Sequence, residues 1–141
     1  MAKRGALFFG GTNNAAATDV GLLVLRVFAG LALAFGHGLG KFPPSDRFIT
    51  GVGGMGFPLP FVFAWAAALA ELAGGILLAL GLATRPAALV IAATMATAGF
   101  IRHAPDPFGR KELAFAYLAV AILFVLAGAG RYSVDALLRK R

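Results

Sequence analysis

Residues 61–80 read FVFAWAAALAELAGGILLAL, an apolar run interrupted by a single carboxylate, Glu71. At a rise of about 1.5 Å per residue, a helix of this length spans a hydrocarbon core about 30 Å thick. A charge at the centre of such a helix costs roughly 2.5–3.5 kcal/mol on insertion scales, so a chain that keeps one is expected to give it a partner or a task. The run therefore predicts a membrane helix that contains a buried polar contact.

Three further apolar runs fill most of the chain. Together with the first they predict transmembrane helices near residues 20–40, 60–81, 86–102 and 112–129. The 141 residues are 60% hydrophobic and 13% charged, and the mean hydropathy is +0.83, which is typical of an integral membrane protein. The runs are apolar on every face, whereas barrel strands would alternate apolar and polar residues. We therefore predict an all-α membrane protein, a four-transmembrane-helix bundle.

The connections indicate one domain over residues 1–141, with an N-terminal segment at 1–18 and a basic tail at 130–141. The connection at 81–85 is short, so the second and third helices should be antiparallel neighbours. The loop at 42–60 mixes apolar residues with turn formers. Within it, Ser45 is expected to cap a short interfacial helix that ends near Gly53 and Gly54. This element would form a lid between helices one and two.

The basic residues predict both partners and orientation. The net charge is +7 and the isoelectric point is 10.9, but Lys and Arg lie at helix ends and in short loops, which favours anionic lipid headgroups over nucleic acid. The positive-inside rule then predicts a multi-pass protein of a bacterial or archaeal cytoplasmic membrane with both termini in the cytoplasm. The side of the termini would carry Lys3, Arg4, Arg85, Arg131, Arg139, Lys140 and Arg141, and the opposite side Lys41, Arg47, Arg102, Arg110 and Lys111.

Several kinds of chemistry are excluded or disfavoured. The chain has no cysteine, which rules out a disulfide, a thiolate-held iron–sulfur cluster and a thiol relay within it. No phosphate loop, zinc-ligand spacing or nucleophile–base arrangement is present, so we expect no metal site and no autonomous hydrolase. Haem is disfavoured because His37 and His103 are the only two histidines and both lie near helix ends. Redox work would need a bound cofactor or a partner.

Arg26 is the candidate partner of Glu71. If helix one runs outward and helix two inward, the two residues differ by roughly 6 Å in height, a gap that an Arg side chain spans. We therefore predict a structural ion pair between Arg26 and Glu71. The pair would either fix which faces of the two helices meet or support a ligand or proton path, and the sequence leaves both open.

A second polar set should gather at the outer side, near the lid. Its members close helices one and three or open helix four: His37, Lys41, Arg102, His103, Glu112 and Tyr117. Lys41, like the other basic residues there, is also explained by snorkelling to lipid phosphates, and Glu112 by the favourable place of an acid at a helix N-terminus.

From these residues we select His37, Lys41, Glu71 and Tyr117 as a candidate quinone site. Imidazole titrates near neutrality, so His37 could donate a hydrogen bond or proton to a quinone carbonyl. Apolar helix walls would suit the quinone ring and tail, because ligand sites are mostly apolar with a few directing polar groups. The alternative is a helix-end histidine bonded to backbone or to a lipid phosphate.

The same residues belong to a longer pattern. It comprises Leu25-Arg26, Gly36-His37-Gly38 with Lys41, the block from Glu71 to Gly81 followed by Thr84-Arg85, Glu112-Leu-Ala with Tyr117, and the block Gly128-Ala-Gly-Arg-Tyr-Ser-Val-Asp135. In this pattern the chain resembles the DoxX family of small four-helix membrane proteins over roughly residues 18–138. The Glu71 block and the block at 128–135 carry the resemblance together.

The resemblance implies a role in membrane redox chemistry. Members of this family include subunits of membrane oxidoreductases, among them a thiosulfate:quinone oxidoreductase, and others are linked to complexes that handle oxidative or thiol stress. The matching polar positions in this chain are Arg26, His37, Lys41, Glu71, Glu112 and Tyr117. Because the chain lacks both cysteine and an electron-donor domain, a partner would have to supply the electrons, and the chain would not be active alone.

Three functions remain open from the sequence. The first is an integral membrane subunit of an oxidoreductase complex that interacts with quinone, with other membrane subunits as partners. The second is a non-catalytic accessory or structural subunit of a larger respiratory or photosynthetic membrane assembly. The third is a small transporter or channel in which Glu71 lines a polar path. The sequence identifies no catalytic residue.

Overall fold

The computed structural model describes residues 15–140, and this part of the chain is helical with no β-strand. Its six α-helices are α1 (Ala15–Leu33), α2 (Asp46–Gly53), α3 (Pro60–Leu80), α4 (Thr84–Thr97), α5 (Phe108–Ala127) and α6 (Val134–Leu138). The first is prolonged by a π-helical turn, Ala34–Gly38, and a 3-10 turn, Leu39–Lys41, and α4 by a π-helical turn, Ala98–Arg102. Most of the predicted N-terminal segment lies outside the described residues.

Three of these elements are long and apolar enough to cross a membrane: Ala15–Lys41, Pro60–Leu80 and Thr84–Arg102. The fourth long helix, α5, begins four residues before its predicted start and carries Arg110, Lys111 and Glu112 near its beginning. The predicted all-α membrane protein is therefore supported, with three candidate spans in the part of the chain that the structure describes. The short helix α2 is also present, and the Ser45 Oγ caps it by accepting from the Phe48 N–H at 3.3 Å.

Small residues bring α1 and α3 into backbone contact. A Cβ atom added to Gly30 would lie 2.5 Å from the Gly75 carbonyl oxygen, and one added to Gly75 would lie 2.7 Å from the Gly30 carbonyl oxygen. In lipid, where apolar surface gains little by leaving the solvent, such close van der Waals packing is a main source of helix association. Gly30 and Ala34, four residues apart in the chain, thus both lie at the contact with Gly75 of α3.

The rest of the core lies between α3, α4 and α5. Leu78, Ile91 and Phe124 are fully enclosed there, together with Leu33 from the first helix. Gly74 contributes by letting Ile91 of α4 approach α3, since a Cβ at position 74 would come within 3.3 Å of the Ile91 side chain. The first helix and α4 both pack on α3, and α5 packs on α4.

One end of the helices, which we call the Arg26 end, is closed by the C-terminal segment. The Arg26 side chain is 1% exposed and donates to the carbonyl oxygens of Ala79 at 2.7 Å and Tyr132 at 2.6 Å. Carbonyls in the last turn of a helix have no partner within the helix, and they carry the negative end of its dipole. Arg26 therefore ties α1 to the end of α3 and to the segment after α5.

Asp135 makes the second tie at the Arg26 end. Its carboxylate accepts from the backbone N–H groups of Ala83 at 2.8 Å and Thr84 at 2.9 Å, while its own N–H donates to the Gly81 carbonyl at 2.8 Å. Burial by itself would raise the pKa of Asp135, but the hydrogen bonds from the Thr84 and Ala83 backbone outweigh it, so the pKa is lowered. The Asp135 side chain thereby caps the N-terminus of α4.

Candidate functional site

Glu71 lies in the middle of α3 with its side chain 3% exposed. The Lys41 Nζ donates to both carboxylate oxygens of Glu71, each at 2.6 Å, and the Lys41 side chain is 35% exposed. A carboxylate that is removed from water needs an opposite charge and hydrogen bonds to remain ionised. The buried charge that the sequence singled out is thus paired, and its partner reaches toward the surface.

The predicted ion pair between Arg26 and Glu71 is wrong. Arg26 donates to the Ala79 carbonyl, eight residues after Glu71 and about 12 Å farther along the helix. The height estimate assumed that the inner ends of the first helix and α3 are level, whereas Arg26, well inside the first helix, lies beside Ala79 at the end of α3. Both charges are buried, but Glu71 lies in the middle of α3 and Arg26 at its C-terminal end, and they have different partners.

Gly38 explains why Lys41 reaches Glu71. A Cβ at position 38 would lie 2.5 Å from the Leu72 nitrogen and 2.8 Å from the Glu71 carbonyl carbon, so the two backbones touch beside the carboxylate. The 3-10 turn Leu39–Lys41 follows at once and carries the lysine along the same side. Sequence reasoning named Gly38 only as part of a motif, and the tight spacing of glycines around His37 was the available signal for this contact.

His37 and Tyr117 meet beside this ion pair. Their ring centroids are 5.8 Å apart with the planes at 78°, an edge-to-face arrangement, and the charge of Glu71 acts electrostatically on Tyr117. Within residues 15–140, neither the His37 ring nor the Tyr117 hydroxyl has a hydrogen bond to another side chain or to backbone. The structure thus brings together all four residues selected from the sequence, and two of them keep unused polar groups.

We call the four residues the Lys41 cluster: His37, Lys41, Glu71 and Tyr117. Aromatic side chains border this cluster. The Lys41 ammonium lies 5.9 Å from the centroid of the Phe48 ring of α2, and Phe42 packs edge to face on Trp65 at 5.5 Å. This border was not predicted, because it depends on how the loop at 42–60 folds back against α3.

The remaining members of the predicted polar layer form a separate group. His103 Nδ1 lies 2.7 Å from an Asp106 oxygen in the turn before α5, and Arg110 is 3.8 Å from the other oxygen. The hydrogen bond from His103 lowers the pKa of Asp106. Arg102 and Glu112 are exposed. Only His37, Lys41 and Tyr117 of the predicted layer therefore join Glu71.

The donor set of the Lys41 cluster suits a neutral ligand with carbonyl oxygens. Such oxygens accept hydrogen bonds, which an ammonium, an imidazole N–H and a phenol can donate. A metal ion would instead need several ligating groups in one place, and residues 15–140 contain no group of three His, Asp or Glu side chains that could hold one. The chemistry of a quinone headgroup is therefore compatible with these residues.

Comparisons with known proteins agree with these features. The chain is 35% identical to "Putative oxidoreductase CatD" of Bacillus subtilis over 83% of this chain and 86% of that protein. It is also 32% identical to "Inner membrane protein YqjF" of Escherichia coli over 87% of this chain and 95% of that protein. No solved structure matches. The family model named DoxX matches residues 21–104, which include Arg26, His37, Lys41 and Glu71. This chain therefore belongs to the DoxX family.

Proposed function

We propose that this protein is an integral membrane subunit of an oxidoreductase complex and that it binds a quinone headgroup at the Lys41 cluster. Membership of the DoxX family and the similarity to a protein named as an oxidoreductase support the redox setting. The similarity to an inner membrane protein supports a place in a bacterial cytoplasmic membrane. The electron donor in this proposal is a partner subunit.

The observation that carries the quinone proposal is the pair of unused polar groups on His37 and Tyr117. Both side chains are half-buried, and polar groups that face hydrocarbon are normally hydrogen-bonded, because an unmet donor there costs about 1–3 kcal/mol. Two such groups beside an ion pair are therefore well placed to serve a ligand. A quinone offers two carbonyl oxygens as acceptors, and an apolar ring and tail that suit the surrounding helices.

Each residue has a distinct task in this proposal. Glu71 holds the Lys41 ammonium in place, and two of the three ammonium N–H bonds suffice for the two carboxylate oxygens. The third N–H can donate to a carbonyl oxygen, with His37 or Tyr117 donating to the other. A bound quinone would supply two-electron, two-proton acceptor chemistry, and His37 is the group in the cluster suited to passing a proton near neutral pH.

The test uses the two histidines and two tyrosines of the chain as matched pairs. The tagged protein is purified gently from its native membrane, and the extracted quinone and copurifying proteins are measured by mass spectrometry. We expect His37→Ala and Tyr117→Phe each to lower the bound quinone about three- to tenfold, the effect of one hydrogen bond of about 0.5–1.5 kcal/mol. His103→Ala and Tyr132→Phe should leave it unchanged.

Two results would contradict the proposal. Equal quinone in all four variants and the wild type would remove the Lys41 cluster as the site. A wild-type protein that copurifies with neither quinone nor a redox partner, under conditions that retain quinone in a known quinone enzyme, would remove the function as a whole.

The membrane arrangement that we propose has four spans, a lid and both termini in the cytoplasm. The helix α5 has 20 residues, about 30 Å, and its three charged residues lie in the first two turns, where they could remain at the interface. The helix α2 would cover the Lys41 cluster as the lid, supported by the approach of Lys41 to Phe48. Single cysteines introduced into this cysteine-free chain at 82–85 and 104–107 should be labelled by an impermeant reagent from opposite sides.

A non-catalytic accessory subunit is the second candidate function. The observation that favours it is that Lys41 already satisfies both oxygens of Glu71 without any ligand, so the pair could act as a packing contact alone. On this view, Glu71→Leu combined with Lys41→Met would lower the yield of the assembly. Normal assembly with reduced quinone would instead favour the first function.

A further inference from the structure

The Arg26 end carries a cleft that the proposed function does not use. The cleft has a volume of about 450 Å³ and lies between the start of α4, the end of α5 and α6. Its basic side chains are Arg85 and Arg139, and its apolar lining includes Pro86, Ala127 and Leu138. A second cleft of about 370 Å³ adjoins it, shares Ala127 and Arg139, and adds Arg131. Three arginines thus line the two adjoining clefts.

The two arginines of the first cleft keep most of their hydrogen-bonding capacity. Arg85 Nη2 donates to the Leu126 carbonyl at 3.2 Å, and Arg139 Nε donates to the Asp135 carbonyl at 3.3 Å. Neither forms a side-chain ion pair with another residue of the described chain. A guanidinium has five N–H donors in a planar fork that matches phosphate oxygens, so most of these donors are available to an anion.

The one acid of the cleft does not cancel this charge. Both oxygens of Asp135 already accept from the backbone of Ala83 and Thr84, and the carboxylate is held against the N-terminus of α4. With Arg85 and Arg139 against Asp135, the cleft keeps a net charge of one positive unit before Arg131 is counted. An anion with several oxygens is the ligand that this arrangement favours.

Apolar surface next to the cleft points to a lipid. Leu89 and Val90 lie one turn after Arg85 and Pro86 on α4 and are 60% and 49% exposed, and Leu126 on α5 is 72% exposed. An acyl chain can lie along these side chains while its phosphate remains at the arginines. Basic pockets at the ends of membrane helices commonly bind anionic headgroups in this manner.

We propose that this cleft is a binding site for an anionic phospholipid, with Arg85 and Arg139 contacting the phosphate. The site is separate from the Lys41 cluster, because Arg85 and Arg139 lie beyond the C-terminal end of α3 whereas Glu71 lies in its middle, so it stands or falls without the quinone proposal.

The test is lipid retention measured by native mass spectrometry on the delipidated full-length protein. Phosphatidylglycerol, phosphatidylcholine with the same acyl chains, and inorganic phosphate are added separately. We expect phosphatidylglycerol to be retained at least tenfold better than phosphatidylcholine, with no retention of inorganic phosphate. The double variant Arg85→Gln/Arg139→Gln should lose that preference, and Arg85→Lys/Arg139→Lys should keep a large part of it.

The control variant is Arg47→Gln/Arg102→Gln, which removes the same charge from exposed positions away from the cleft. It should retain phosphatidylglycerol as the wild type does. Equal retention of the two lipids by the wild-type protein would overturn the proposal whatever the variants do. An equal loss in both glutamine variants would assign the effect to net charge, and tight retention of inorganic phosphate would assign the cleft to a free anion.

Discussion

Removing only Lys41 from its ion pair with Glu71 should cost much more stability than removing both charges. Lys41→Met leaves the Glu71 carboxylate, 3% exposed, without its partner. Breaking a buried pair from one side typically costs about 3–5 kcal/mol. Because the Lys41 side chain is 35% exposed and water can approach it, we expect a smaller loss, about 2–3 kcal/mol.

Removing both charges should restore most of that loss. Replacement of a buried ion pair by apolar side chains is often neutral or stabilising, so Lys41→Met/Glu71→Leu should lie within about 1 kcal/mol of the wild type. Each kcal/mol shifts the Tm of a domain of comparable length by about 2–4 °C, which predicts a drop of roughly 4–12 °C for the single variant. Thermal unfolding in one detergent, followed by circular dichroism, measures both variants.

The control is Lys111→Met, because Lys111 donates only to the Ala104 carbonyl at 3.3 Å and pairs with no carboxylate of the described chain. Its Tm should change by little, corresponding to less than about 0.5 kcal/mol. If Lys41→Met were as stable as the double variant, Glu71 would not depend on Lys41. The buried Glu71 carboxylate would then be stabilised by something other than Lys41.

Two further predictions concern helix contact and the Arg26 end. Gly38→Ala should lower the stability by about 1–3 kcal/mol, because the new Cβ would lie 2.5 Å from the Leu72 nitrogen. A Cβ at Gly36 would have nothing within 4 Å, so Gly36→Ala should be neutral or stabilising. Thermal unfolding measures both variants. Asp135→Ala should cost about 0.5–2 kcal/mol as a lost cap. The pKa of Asp135 is lower in the folded protein than its unfolded value of about 3.9. The stability that Asp135 contributes is therefore complete above that unfolded value and is lost as the pH falls through the folded value. Acid titration should consequently destabilise the wild type more than Asp135→Ala.

The helices were predictable because a membrane helix is specified locally. The apolar run at 61–80 gave α3 almost to the residue, and Ser45 marked the start of α2 because an N-cap acts on the N–H three residues later. The start of the first helix was placed too late, since Ala15 to Thr18 are compatible with a helix but are not strongly apolar. Arg26 was assigned to the wrong partner because the inner ends of the two helices were taken to be level, whereas Arg26 lies beside Ala79 at the end of α3.

The contacts at the Arg26 end were beyond prediction for a different reason. Asp135 caps a helix that begins 51 residues before it, and Arg26 binds the carbonyl of a residue 106 positions later. The block at 128–135 was noticed as part of a pattern, but neither periodicity nor spacing states which helix end such a block will close. Only the packing of all the helices determines these partners, because every helix end has backbone carbonyl or N–H groups without a partner, whatever its sequence.

The Arg26 end and the middle of α3 differ in how their polar residues are bonded. At the Arg26 end, Arg26 and Asp135 are bonded to backbone groups of other segments, which closes the structure, although Arg26 Nε and Thr84 Oγ1 are buried there without a hydrogen-bond partner among residues 15–140. In the middle of α3, the ion pair of Lys41 and Glu71 joins the first helix to α3, and His37 keeps its ring nitrogens unbonded within residues 15–140. The backbone ties at the Arg26 end do not involve His37, so its side chain is not needed to hold the helices together. Substitution of His37 should consequently change binding while leaving the Tm close to that of the wild type.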